Sequence, residues 1–443
     1  MDGRLLLKDC SVFSPDGRIR AQRAVWVDAG KIVQVGADAE LPALPGDWVI
    51  DCRGRLVAPG LIDCHTHLVG GQLLPLSGAR VLAGVPARFE QQQALESTLT
   101  PGEVEVLTAF AIARALRGGV TMLVEHLSAP FQVALSLAAQ GRVAELLGAR
   151  LVHSHTAMEG RSKVSVAAQV DANAEYAQAR RGHPLVRAAL GFQSSQHADD
   201  ELLRRLGRAR EELGVGAHFH LSETEEDLAV TYSRHGKRVV QRLESFGLLG
   251  AGSVASFARA LSRSEAERLF RTRTLAALSP RHGAGSHGGE SGLEALVPQQ
   301  NLIGLGTGGL GSLWVELQGA FAAVMQLARM GRLLDPDALV SGFLFGGPSE
   351  LCSMLFGSPS GVIEEGCLAD LVVYDHLPAQ EASGGLAPSL LMQLSSAPVA
   401  WTIVAGRVVV REGQLLGADY LELAAEAAEV TEAVWARTAV AAG

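Results

Sequence analysis

The stretch LVAPGLIDCHTH (residues 56–67) separates two patterns in this chain. Before it, short apolar segments alternate with turn residues, which indicates β-strands without long helices. After it, short apolar runs alternate with amphipathic segments that have helical spacing. The apolar runs lie at residues 56–62, 121–124, 150–152, 186–190, 217–221, 254–257, 274–278 and 302–305.

The segments between these runs carry signals for the start of a helix. Thr100-Pro101-Gly102-Glu103 and Ser262-Arg263-Ser264-Glu265 each place a hydroxyl residue three positions before a glutamate, the pattern of a capping box. Eight alternations of strand and helix within about 250 residues match a closed (β/α)8 barrel, an α/β fold of the TIM type. A doubly wound parallel sheet is the weaker alternative.

The last part of the chain is similar in pattern to the first. Residues 361–375 and 400–413 return to strand-like segments with glycine turns. We therefore predict that both chain ends form one small β-sandwich domain, split by the barrel. The predicted boundaries are 1–57 for the first part of the sandwich, 58–358 for the barrel, and 359–443 for the second part with an alanine-rich C-terminal helix.

Composition excludes several classes of protein. Of the 443 residues, 48% are apolar and 19% charged, so the chain can bury a large core. Its 38 basic and 47 acidic residues give a net charge of −9. The sequence contains no stripe of basic residues, so we do not expect nucleic acid or a membrane surface as a partner. The chain shows no signal-peptide pattern, no apolar run of roughly 18 residues and no CxxC pair, so we expect a cytoplasmic protein.

Histidines follow two of the predicted strands where active-site residues of a barrel lie. His65 and His67 are two positions apart on one strand end, so their side chains point the same way. Strand five ends in His220, with Glu223 just beyond it. Three imidazoles can hold a catalytic divalent metal, and a nearby carboxylate can move protons. The two motifs together predict a metal site, although either alone is also typical of loop-capping histidines.

Other histidines near these strand ends have plainer interpretations. Glu125 and His126 follow strand two and face the same mouth. Structural roles are favoured for both, and His126 could also contact a substrate. His153 and His155 follow strand three, and structural roles are favoured for them. His218 is interpreted as a packed residue or as a support for the metal ligands.

The motif at residues 57–67 resembles the opening motif of the amidohydrolase superfamily, and GVIEEGCLADLVV (residues 361–373) resembles its closing motif. Residues 119–130, 220–227 and 304–311 are similar to the branch that contains cytosine deaminase, triazine hydrolase and SsnA-like aminohydrolases. The resemblance covers essentially the whole chain.

The resemblance implies a hydrolase with one zinc or iron ion, acting on a carbon–nitrogen bond of a small, often heterocyclic substrate. In this pattern His65, His67 and His220 match metal ligands, and Glu223 matches the acid and base that shuttles protons. Residues 184–193 contain no lysine, so the two-metal variant with a carbamylated lysine is not expected. Members of this branch often form dimers or larger homo-oligomers, and we expect the same here.

Three positions depart from the family pattern. The histidine usual after strand six is matched by Phe257, the aspartate after strand eight by Gly308, and a substrate-contacting histidine after strand four by Phe192. Losing a general base costs about 10²- to 10⁴-fold in rate. Glu223 could act alone as the shuttle, or His282 and His287 could reach in from the glycine-rich segment at residues 283–289.

These observations leave three hypotheses. The first is a metal-dependent amidohydrolase with a rebuilt site, in which His126, Phe192, Phe257 and His282 contact a small-molecule substrate. The second is a catalytically inactive relative that binds a ligand or pairs with a partner enzyme subunit. The third, a remote one, is a nucleotide-binding oxidoreductase, since residues 304–309 spell GxGxxG. Because no acidic residue follows about 20 positions later, and because this is the last strand of the alternation, we do not predict a bound nucleotide.

Overall fold

The computed structural model describes residues 4–14, 18–73, 84–128, 132–160, 164–283, 292–297, 302–309, 311–329, 342–378 and 393–441. Within these ranges no helix is both long and apolar enough to cross a membrane.

Strands from both chain ends form one nine-stranded sheet. Its hydrogen-bonded order is β18-β17-β16-β15-β5-β1-β2-β3, with β4 also paired to β1. The N-terminal strands are β1 (Leu5–Phe13), β2 (Ile19–Asp28), β3 (Lys31–Ala37), β4 (Trp48–Asp51) and β5 (Leu56–Pro59). The C-terminal strands are β15 (Leu371–Tyr374), β16 (Val399–Val404), β17 (Arg407–Arg411) and β18 (Gln414–Leu415).

The middle of the chain forms two parallel sheets, ordered β6-β7-β8-β9 and β10-β11-β12-β13-β14. The strands are short, and most are buried on both faces, as expected where helices cover a parallel sheet. They are β6 (Leu61–Thr66), β7 (Val120–Leu127), β8 (Arg150–His155), β9 (Val186–Ala188), β10 (Leu190–Phe192), β11 (Ala217–Leu221), β12 (Val254–Phe257), β13 (Leu275–Leu278) and β14 (Ile303–Leu305).

The two parallel sheets are adjacent at both pairs of edge strands, β9 with β10 and β14 with β6. Only Ala189 separates β9 from β10, and its amide donates to the carbonyl of His153. At the opposite end, the amide of Gly308 donates to the carbonyl of His65 at 3.0 Å, so the loop after β14 lies beside β6. Gly306 permits this approach because a Cβ there would lie 2.7 Å from the Cβ of His65.

Helices follow most of the parallel strands. The capping boxes predicted at Thr100 and Ser262 both form, at the starts of α3 and α9. The helices are α1 (Gly70–Leu73), α2 (Gly84–Glu96), α3 (Pro101–Arg117), α4 (Val133–Leu147), α5 (Val166–Ala179), α6 (Asp200–Leu213), α7 (Glu225–His235), α8 (Val239–Ser245), α9 (Arg263–Arg271), α10 (Pro280–Gly283), α11 (Leu293–Leu296), α12 (Leu313–Arg329), α13 (Gly347–Phe356) and α14 (Tyr420–Ala441). The predicted mixed α/β fold with parallel strands is confirmed.

A buried ion pair joins the parallel strands to the nine-stranded sheet. Arg150 starts β8, and its Nε lies 2.6 Å from Oδ2 of Asp370, which directly precedes β15. The two side chains are 3% and 0% exposed. Nη1 of Arg150 also donates to the carbonyl of Pro184, and Oδ1 of Asp370 accepts from the amide of Ala405.

Both chain ends contribute strands to the same sheet, as the prediction of one split β domain requires. This sheet is continuous over nine strands because β5 pairs with both β1 and β15. Strand β5 also runs across the predicted boundary between residues 57 and 58. Helix α14 packs against α3 rather than continuing the sheet: Arg437 pairs with Glu103 at 2.7 Å, and the indole of Trp435 donates to the carbonyl of Leu73.

Candidate metal centre

Strand β6 presents the first two histidines of the site. His65 and His67 are 0% and 9% exposed, and their ring centroids are 4.8 Å apart. The Nδ1 atom of His67 lies 2.9 Å from the carbonyl oxygen of His126. A carbonyl only accepts, so Nδ1 carries the proton and Nε2 is the nitrogen of His67 that can bind a metal.

Asp63 ties this strand end to the loop after β14. Its carboxylate accepts from the hydroxyl of Thr307 at 2.6 Å and from the amide of Thr307 at 3.0 Å. Burial raises the pKa of Asp63 to about 7, against the effect of these hydrogen bonds. Because both oxygens are engaged by Thr307, Asp63 positions the loop and does not face the histidines as a base.

Strand β11 supplies the third histidine. Side chains alternate along a strand, so His218 and His220 point to one face and Phe219 to the other. The ring of His220 lies 5.1 Å from that of His65 and 5.3 Å from that of His67. One nitrogen from each of the three rings lies within 4.8 Å of the others. The structure thus brings together the three residues expected to hold a metal.

The three histidines fit a divalent metal by chemistry as well as by position. The Nε2 atom of His65 is buried and has no hydrogen-bond partner among the described residues. Its Nδ1 atom lies 3.0 Å from Nε2 of His218, which in turn lies 3.1 Å from the hydroxyl of Ser256. If Nδ1 of His65 donates in this chain, Nε2 is left as an unprotonated donor for a metal, the arrangement found in many histidine-bound sites.

His126 and His218 complete a compact group of five histidine rings. The His126 ring centroid is 4.6 Å from that of His218 and 4.8 Å from that of His220. Burial, reinforced by the neighbouring histidines, lowers the pKa of His65, His126 and His218 well below the usual value. These three rings are therefore neutral at physiological pH, the form in which imidazole binds a metal.

The turn after β11 places Glu223 beside His220. Glu223 Oε2 lies 3.5 Å from Nδ1 of His220, and the carboxylate is 16% exposed. Asp227 holds this turn by accepting from the amides of Ser222 and Gln196, at 3.1 and 3.0 Å. Thr224 caps the helix that follows by accepting from the amide of Asp227. The predicted proton shuttle thus lies at the edge of the histidine group, with access to solvent.

Phe257 lies against the histidines. Its ring packs edge-on against His65 at 5.1 Å and against His220 at 4.8 Å. The backbone of Phe257 has φ of +68°, a conformation that costs a bulky residue energy, so the chain holds this ring in place. At Gly308 the loop after β14 offers only an amide to the carbonyl of His65, and no carboxylate.

Phe192, predicted to contact the substrate, lies elsewhere. It pairs in register with Phe219, and the two rings stack at 5.0 Å on the face opposite His218 and His220. The next residue, Gln193, faces the site instead, with its amide nitrogen 3.1 Å from Nδ1 of His220. The prediction missed the site by one position because strand alternation reverses the face at each residue.

His282 lies in helix α10, and its side chain falls outside the described part of the structure. His153 and His155 point away from the site, into helix contacts with Gln140 and Gln169. Their predicted structural roles agree with these contacts.

A buried carboxylate, for which the sequence favoured a structural role, lies behind the site. Glu125 accepts from the amide of Leu68 at 2.7 Å, directly after His67, and from the side-chain amide of Gln140 at 3.0 Å. Burial raises the pKa of Glu125 to about 8. Its position next to His126 was visible in the sequence, but nothing in the pattern showed that it supports the backbone of the HxH motif.

Comparisons with known proteins identify the family and several relatives of this chain. The model of the amidohydrolase family matches residues 56–277, half of the chain. The chain is 26% identical over 409 residues to a 5'-deoxyadenosine deaminase of Methanothermobacter thermautotrophicus, covering 89% of this chain and 92% of that protein. It is also 26% identical to a 5-methylthioadenosine/S-adenosylhomocysteine deaminase of Natronomonas pharaonis, over 92% and 93% of the two chains.

Two solved structures share the fold. The first is an adenosine deaminase of Xanthomonas campestris with bound zinc, with a TM-score of 0.85, 22% identity, and 98% of each chain covered. The second is the atrazine chlorohydrolase of Arthrobacter aurescens TC1 in complex with zinc, with a TM-score of 0.81, 20% identity, and 96% and 100% covered.

Proposed function

Because this chain belongs to the amidohydrolase family, we propose that it is a metal-dependent hydrolase that breaks a non-peptide carbon–nitrogen bond in a small substrate. The observation that carries the proposal is the approach of one nitrogen each from His65, His67 and His220 to within 4.8 Å, with Glu223 3.5 Å from His220. The curated relatives named above are deaminases of adenine nucleosides. We therefore propose an amino-substituted N-heterocycle as the substrate, and purine nucleosides are the first compounds to test.

The proposed reaction replaces an exocyclic amine with oxygen: water adds to the ring carbon, the carbon–nitrogen bond breaks, and ammonia leaves. A divalent zinc or iron ion at the three histidines would act as a Lewis acid on water and substrate. Glu223 takes a proton from the attacking water and returns it to the leaving nitrogen. Gln193 and Glu223 both lie against Nδ1 of His220, at 3.1 and 3.5 Å. The carboxylate of Glu223 only accepts, so it favours a proton on Nδ1 and leaves the lone pair of Nε2 for the metal.

The missing carboxylate at Gly308 makes Glu223 the sole acid and base among the residues proposed here. Loss of one general base costs about 10²- to 10⁴-fold, so we propose a slow enzyme rather than an inactive one. Phe257 supplies an apolar wall for a flat heterocycle, and His282 remains a proposed substrate contact.

A second candidate is a catalytically inactive relative that binds a ligand or a partner enzyme. The observation in its favour is Phe257, whose ring packs edge-on against both His65 and His220 where the family has a histidine. We rank it second because the proposed metal ligands and Glu223 are all retained.

The remaining proposals concern the architecture and setting. We infer that the two parallel sheets form one closed (β/α)8 barrel over residues 58–358. Contacts between Ala189 and His153 at one junction, and between Gly308 and His65 at the other, support closure. We propose residues 1–57 and 359–443 as the second domain, a homo-oligomeric state and a cytoplasmic location.

The test combines metal analysis with turnover. Chain purified without chelator or metal-binding tag is analysed for zinc and iron, beside a His220→Ala variant. We expect one ion per chain, lost in the variant, and release of ammonia from an aminated purine or related heterocycle. A chain that binds no metal after incubation with zinc would refute the proposed mechanism and leave the inactive relative as the better candidate.

A further inference from the structure

We propose that His126 is a fourth protein ligand, so that the metal is held by the four imidazoles of His65, His67, His126 and His220. This inference rests on the proposed function, because it concerns the same metal. It assigns to His126 a role different from the substrate contact suggested by the sequence. The imidazole of His126 takes over from the carboxylate that Gly308 does not provide.

The spacing of the four rings carries the inference. Four imidazoles on a tetrahedral zinc ion, with zinc–nitrogen bonds of 2.0–2.1 Å, have ring centroids about 5 Å apart. The rings of the three ligands proposed above are separated by 4.8, 5.1 and 5.3 Å. The ring of His126 lies 4.8, 5.7 and 6.0 Å from those of His220, His67 and His65. The ring of His126 therefore lies at about the spacing of a fourth imidazole on the same ion, and the water of the proposed reaction would then be a fifth ligand.

The atom-to-atom distance agrees with shared coordination. Nδ1 of His126 lies 3.2 Å from Nε2 of His220. Two nitrogens bound to one tetrahedral zinc lie about 3.3 Å apart. The same two atoms can share a proton in the absence of metal, so the pair needs no rearrangement of the strands to receive the ion.

The backbone of His126 is tied to another proposed ligand. Its carbonyl oxygen accepts from Nδ1 of His67 and so directs Nε2 of His67 away from β7. The side chain of His126 is fully buried, and its Nε2 has no hydrogen-bond partner among the described residues. Coordination through Nδ1, the nitrogen that faces His220, places the proton of the neutral His126 ring on Nε2.

Nearby carboxylates are committed to other partners. Both oxygens of Asp63 accept from Thr307, and those of Glu125 accept from Leu68 and Gln140. Glu223 faces Nδ1 of His220. A nitrogen-only site follows, and imidazole ligands suit zinc, copper, nickel and iron.

The experiment counts imidazoles on zinc. The full chain is loaded with one equivalent of zinc(II), and X-ray absorption fine structure is recorded for the wild type, for His126→Phe and for His153→Phe. Zinc affinity is measured in parallel by competition with a chromophoric chelator. His153 is the matched control because it is also fully buried at the end of a neighbouring strand, but its ring contacts Gln140 on the opposite face.

We expect four imidazoles on zinc in the wild type and three in His126→Phe. The zinc affinity of His126→Phe should be lower than that of the wild type by at least about 100-fold, because mutation of a residue that only supports a ligand already costs up to about 100-fold. His153→Phe keeps four imidazoles. Three imidazoles on zinc in the wild type would overturn the fourth ligand and leave the proposed hydrolase intact. A wild type that binds no zinc would overturn both proposals. The wild-type count decides the question even if His126→Phe does not fold.

Discussion

The ion pair between Arg150 and Asp370 gives a sharp test of how the two parts of the chain are joined. Asp370→Asn keeps the size of the side chain and the oxygen that accepts from the amide of Ala405, but removes the charge facing Arg150. Both side chains are almost completely buried, so the Arg150 guanidinium is left without its counter-charge. Removing one partner of such a pair costs about 3–5 kcal/mol.

This cost converts into a measurable shift of the melting temperature. Unfolding entropy is about 2.1 cal/mol/K per residue, which gives about 0.9 kcal/mol/K for 443 residues. The expected fall in Tm is therefore about 3–5 °C by differential scanning calorimetry. Asp375→Asn is the control, since Asp375 pairs with Nε of Arg55 at a similar 2.9 Å but is 54% exposed. Exposed pairs contribute about 0.2–1 kcal/mol, so its Tm should fall by about 1 °C or less.

A double variant separates the buried charge from other effects of the substitution. Arg150→Met in the Asp370→Asn background removes the uncompensated guanidinium, and we expect it to recover part of the lost stability. The reasoning is refuted if Asp370→Asn and Asp375→Asn shift Tm equally. It is also refuted if adding Arg150→Met to Asp370→Asn lowers Tm further, by as much as an independent destabilising substitution would.

Three further predictions concern the site and its surroundings. Glu223→Gln should retain the metal, because it removes the proton shuttle and no ligand, while the rate of ammonia release falls about 10²- to 10⁴-fold; unchanged turnover in this variant would exclude Glu223 as the acid and base. Gly308→Asp restores a carboxylate at a position with φ of +58°, which aspartate tolerates better than most residues, and should raise the rate, whereas Gly308→Asn should not. Burial lowers the pKa of His155 from 6.5 to about 4. Between these pH values the ring stays neutral in the folded state, whereas it gains a proton in the unfolded chain. The free energy of unfolding therefore falls by about 1.4 kcal/mol per pH unit as the pH drops from 6.5 to about 4. In His155→Gln this slope, measured by chemical denaturation across that range, should be shallower by about one proton, and an unchanged slope would contradict it.

The sequence pattern was sufficient for the elements and their order. Short continuous apolar runs and amphipathic runs with helical period predicted the alternation of parallel strands and helices, because burial dictates which positions are apolar. Local chemistry predicted where helices begin, as the capping boxes at Thr100 and Ser262 show. The HxH and HxxE motifs identified residues that the fold brings together, because the ends of parallel strands meet at one edge of the sheet.

What the tertiary structure alone decided is which side chains share that edge. Phe192 and Gln193 differ by one position, and the pairing of β10 with β11 turns the first away from His220 and the second toward it. The approach of His126 to His220 depends on the relative register and tilt of strands separated by 94 positions in the chain. The sequence of helix α14 does not predict that it packs against α3, where Arg437 pairs with Glu103. These features depend on distances between segments far apart in sequence, whereas periodicity and capping report only on neighbours along the chain.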